Sequence, residues 1–86
     1  MKITIYADRG HAWAKVNKAL LNKLGIADQI SSYSYMRGDK AYLEEDCDLS
    51  RLIKALTENN INFSFEERHT DKTSKIRSYA SYYNQC

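Results

Sequence analysis

Four residues that can do chemistry stand close together near the start of the chain: Asp8, Arg9, His11 and Trp13, in the stretch DRGHAW. An imidazole three positions after a carboxylate permits a general base, His11, oriented by Asp8. The same residue types also serve plain structural ends, with His11 bonded to backbone and Trp13 plugging the edge of a thin core. A second group is the run Glu44, Glu45, Asp46, Cys47, Asp48. Carboxylate oxygens suit hard cations, but the run lacks the glycine and the alternate-residue spacing of a calcium loop. Asp48 reads instead as a helix cap, and Asp46 lies near the positive end of that helix. Cys47 with His11 or His69 matches no common zinc spacing, and two cysteines are too few for a closed structural site. The expectation is a protein without metal or cofactor and without a catalytic residue. A small enzyme built on Asp8 and His11 is the weaker alternative.

Tyrosine is the compositional outlier, with seven in the chain. Tyr33, Tyr35 and Tyr42 flank the Gly38-Asp39 pair, and the acidic run follows at once. Exposed tyrosine-rich surface is a common protein-interface composition, and the acidic run could pair with arginines on a partner. Tyr33, Tyr35, Tyr42, Glu44, Glu45 and Asp46 therefore form the candidate partner-binding set. The alternative is a nucleic-acid surface of Tyr6, Tyr35 and Tyr42, on which bases would stack, with Lys75 and Arg77 on phosphate. The sequence lacks the basic-Gly-aromatic signature of the RNA-recognition motif, and Glu44 would repel phosphate. A third outcome is that Tyr79, Tyr82 and Tyr83, or a second copy of the chain in a homodimer, cover the tyrosine face.

These groups must be held by a small frame. The chain has 86 residues, one domain's worth, with 13 basic and 11 acidic side chains and a net charge of +2. That balance excludes an acidic nucleic-acid mimic and gives no general basic surface. The acidic run contrasts with the segment Arg68, Lys72, Lys75, Arg77. Two cysteines, Cys47 and Cys86, and no long apolar run point to a cytoplasmic, non-membrane protein with free thiols.

KITIY alternates like a half-buried strand. AWAKV, residues 12 to 16, is a possible further strand. Asn17 caps a helix over 18 to 24, with Leu20, Leu21 and Leu24 on one stripe and Gly25 at its end. Gly38-Asp39 forms a type II′ hairpin turn that sets Tyr35 opposite Tyr42 and Met36 opposite Ala41. Ser34, Met36, Ala41 and Leu43 then share one face, and Tyr33, Tyr35, Tyr42 and Glu44 the other. Leu49, Leu52, Ile53 and Leu56 give a second amphipathic helix, ended by Asn59-Asn60. INFSFEE alternates with Ile61, Phe63 and Phe65 on one side. The expected fold is α+β: a ferredoxin-like βαββαβ antiparallel sheet with two helices on one face, over residues 1–69. Residues 70–86 form a C-terminal tail, docked or partly mobile. A strand at 12 to 16 would give a different α+β sheet.

At YADRGHAWAKV and LGIADQISSYSYMRGDKAYLEEDCDLS the chain resembles a group of small phage- and plasmid-encoded proteins with no assigned activity. The resemblance spans roughly residues 3 to 79 and carries over no site residue. It implies a mobile-element accessory protein of the host cytoplasm that binds a host protein or nucleoprotein complex. Inhibition of a defence system such as a CRISPR effector is the function class this origin suggests.

Overall fold

The structure, a computed structural model, describes residues 1–83. Six strands form one mixed sheet: β1 (Lys2–Ala7), β2 (Ala12–Asn17), β3 (Tyr35–Arg37), β4 (Lys40–Glu44), β5 (Ser64–His69) and β6 (Ala80–Ser81). Their spatial order is β5-β1-β2-β4-β3-β6. Helix α1 (Lys18–Lys23) links β2 to β3, and α2 (Leu49–Glu58) links β4 to β5. Short 3₁₀ turns occupy Ala27–Gln29 and Lys75–Ser78.

The class α+β holds, while the ferredoxin-like topology is corrected. AWAKVN forms a full central strand between β1 and β4. Its neighbours bury it on both faces, so it lacks the alternation that marks a half-exposed strand. β5 runs parallel to β1, with Ile3 beside Phe65, and the sheet is therefore not antiparallel throughout. The strand begins at Ser64 rather than Ile61. Phe65, expected under a helix, is 44% exposed at this sheet edge.

The 35–44 hairpin forms in the expected register: Tyr35 opposes Tyr42, Met36 opposes Ala41 and Arg37 opposes Lys40. Gly38 takes φ +60° while Asp39 stays out of the left-handed region, as a type II′ turn requires. Asn60 supplies the left-handed residue after α2.

The sheet carries a core on each face. On the helix side, Ile3, Ala14, Val16, Met36, Ala41 and Leu43 pack with Leu21, Leu52 and Leu56. Burying Leu52 and Leu56, both without exposed surface, contributes about 1.5–3 kcal/mol each. The opposite face holds Trp13, Tyr42 and Ile76, flanked by Tyr6, Tyr35 and Tyr79. The segment after β5 thus docks as a strap. Ile76 enters the aromatic core, β6 pairs with β3 through Met36–Ala80 and Tyr35–Ser81, and Tyr82 turns into the helix-side core. Cys86 lies outside the described residues.

Candidate functional site

The registers bring the chemistry-bearing residues together at one end of the strapped face. Residues Trp13 and Glu44 are cross-strand partners on β2 and β4. With one residue between His11 and Trp13, alternation sets the imidazole on the same side, its ring centroid 6.1 Å from the indole. The acidic loop begins where β4 ends and folds back, with the Asp46 N–H donating to Glu44 Oε2 at 2.9 Å. A notch of about 310 Å³ results, walled by His11, Trp13, Tyr33, Tyr35, Glu44, Asp46, Cys47 and Arg77.

Glu44 is the notch's central group. It is buried, and its Oε1 lies 3.3 Å from His11 Nδ1. Its expected position on the tyrosine face holds, but its expected exposure does not. Hydrogen bonding to Glu44, and then desolvation, push the Cys47 thiol above its ordinary value, so the thiol stays protonated. Partial desolvation and the neighbouring charges of Asp46 and Glu44 push the exposed Glu45 carboxyl up as well. Trp13 is 1% exposed, and its Nε1, the only polar atom of the ring, has no hydrogen-bond partner among the described residues.

The expected Asp8–His11 pair does not form through the imidazole. Asp8 is buried and accepts five hydrogen bonds. Arg77 Nε and Nη2 donate at 2.7 and 2.9 Å, and the backbone N–H groups of Gly10, His11 and Ser74 donate at 2.9 to 3.0 Å. The Arg77 bond above all, and those backbone donors, hold the Asp8 carboxyl far below the usual carboxylate range. Asp8 is therefore a latch: it fastens the strap to the β1–β2 turn. A Cβ on Gly10 would lie 2.9 Å from Arg77 Nη2, so glycine leaves room for the guanidinium. The guanidinium also lies over the Trp13 ring, 5.2 Å from its centroid.

The strap changes what the tyrosines offer. Tyr42 is 7% exposed, tilted against Tyr79 at 5.1 Å between centroids. Burial, and then the neighbouring Tyr79, raise its pKa. Tyr35 is half-buried, edge-on to Trp13. Tyr6 is half-buried too. Of the expected partner-binding set, Tyr33, Glu45 and Asp46 are exposed, with Tyr33 at 71%, while Tyr42 and Glu44 are covered. Of the nucleic-acid set, Lys75 is exposed, Arg77 is engaged by Asp8 and Tyr42 is shut away. The expected cover of Tyr79, Tyr82 and Tyr83 is met by Tyr79. Tyr82 instead crosses to the other face and donates to the Ala27 carbonyl at 2.7 Å.

Asp48 occupies the N-cap position of α2, yet its carboxylate does not cap the helix. It is fully buried and accepts from the Ser31 N–H and from the hydroxyls of Ser31 and Ser34. The Ser34 hydroxyl in turn accepts from the Glu44 N–H at 2.9 Å. This network pins loop 31–34, and with it Tyr33, to the end of β4. Likewise Asn17 accepts from Lys40 Nζ rather than capping α1.

The gathering of His11, Glu44 and Asp46 in one notch was not legible from local spacing, since 33 residues separate His11 from Glu44. The one available signal was the strand at 12–16, which fixes which face Trp13 occupies. No known protein family, curated protein or solved structure matches this chain.

Proposed function

We propose that this chain is a non-enzymatic binding protein whose exposed Tyr33 and Asp46 on the notch, with Glu45 next to them in the acidic run, dock on a basic patch of a host protein or nucleoprotein complex. The observation that carries this reading is the Tyr33 ring, 71% exposed, on the same notch as the exposed Asp46 carboxylate, with exposed Glu45 next to Asp46 in the chain. Loop 31–34 is held rigid by Asp48, so the ring is presented without a large ordering cost on binding. Arg77 is consumed internally by Asp8, which leaves the rim net acidic and complementary to arginine or lysine. The resemblance to phage- and plasmid-encoded proteins fits an accessory protein that inhibits a host defence system, such as a CRISPR effector, by occupying a positively charged channel.

The test is recovery of partners from host lysate with wild type, Tyr33→Ala/Asp46→Lys, and Lys54→Ala on exposed α2 surface as a control. The expected result is a protein recovered by wild type and the control and lost with the double variant. Equal recovery by all three removes the rim as the site. The alternative, a small RNA or single-stranded nucleic-acid-binding module using Tyr6, Tyr35, Tyr42, Lys75 and Arg77, has less support because Tyr42 is covered and Arg77 is engaged by Asp8. It predicts binding at low salt that weakens steeply as salt rises.

A further inference from the structure

We propose that His11, Glu44 and Asp46 form a binding site for a borderline divalent transition ion of the Zn²⁺ type. One ligand atom from each of the three lies within 4.8 Å of the others, a spread that a single ion can span. The donor set, one imidazole nitrogen and two carboxylate oxygens, selects against Ca²⁺ and Mg²⁺, which prefer all-oxygen shells, and suits zinc-like ions.

Two features of the notch bear on it independently. The first is orientation. The Asp46 N–H holds Glu44 Oε2, so the buried carboxylate is positioned before an ion arrives. The second is uncompensated negative charge. Among the described residues the buried Glu44 has one salt-bridge partner, His11, and the guanidinium in the notch wall, Arg77, is neutralised by Asp8. His11 and Asp46 are exposed, which gives the ion an entry path.

This proposal stands apart from the docking reading, because its test needs no partner. Zn²⁺ is titrated calorimetrically into tag-free protein, alongside His11→Ala, Asp46→Ala and Cys47→Ser, with circular dichroism confirming each fold. The expected result is one Zn²⁺ per chain, weakened about tenfold or more by either alanine and little changed by Cys47→Ser. If an alanine variant fails to fold, His11→Gln and Asp46→Asn replace it. The chain's single tryptophan, Trp13, gives a second readout: Ni²⁺ quenches its emission in wild type and not in His11→Ala. Absence of stoichiometric Zn²⁺ binding overturns the site. So does binding that both alanine variants retain at full strength, or that Cys47→Ser alone abolishes.

Discussion

Asp8 shows how one side chain changes role with its setting. Beside His11 in the sequence it suggests catalysis; in the fold it collects five donors and holds the strap. Its carboxyl is depressed below the ordinary value near 4, so the folded state binds a proton there less readily than the unfolded chain. Its contribution to stability is therefore complete above about pH 5. It is lost progressively as pH falls below about 4 toward the folded-state value. Thermal melts from pH 3 to pH 7 are expected to show Asp8→Asn less stable than wild type at pH 7, with the gap narrowing at pH 3. A gap that does not change with pH would mean the Arg77 contact adds nothing through charge. Tyr82 makes a second single-residue prediction. Tyr82→Phe strands the Ala27 carbonyl in the core and is expected to cost about 1–3 kcal/mol in urea unfolding. Asp48→Ala leaves one N–H and two hydroxyls without their acceptor, and is expected to cost at least that much by the same measurement.

At the scale of elements, legibility followed locality. The 35–44 hairpin was readable because Gly38 fixes the turn and parity fixes every facing residue. The two helices were readable from their leucine stripes. β2 was ambiguous because AWAKV is buried on both sides and does not alternate cleanly. The β1–β5 pairing was hidden because parallel partners lie more than 60 residues apart, and SFEERH is mostly polar and exposed at an edge. The strap was hidden for a different reason: it is polar except for a few anchors, and Ile76 and Tyr82 enter opposite faces of the sheet. The candidate site inherited both difficulties, since its ligand set joins the β1–β2 turn to the end of β4. Ile76 is the apolar plug of the strap and 3% exposed. Ile76→Ala is expected to lower stability by about 2–5 kcal/mol and to shift Trp13 emission toward that of water-exposed indole, checked by fluorescence-detected urea unfolding. A normal melt with unchanged emission would show that the strap contributes little to that core.

Across the whole molecule, the sheet acts as a partition between two cores of unequal kind. The helix-side core is aliphatic apart from Tyr82 and the flanking Phe63, and it is the larger of the two. The opposite core is small and aromatic, and it depends on the strap for closure. The notch carrying Tyr33, His11 and Asp46 sits where that second core meets solvent. Among the described residues, no helix is long and apolar enough to cross a membrane. Order along the chain adds one consequence. Asp8 is made 69 positions before Arg77, so a ribosome completes β1 to β5 before the segment that fastens across them and brings in β6. During that interval Trp13 and Tyr42 of the nascent chain lack the cover that Ile76 and Tyr79 supply. Any chaperone that greets this polypeptide at the tunnel exit will meet an aromatic floor that the released protein no longer displays.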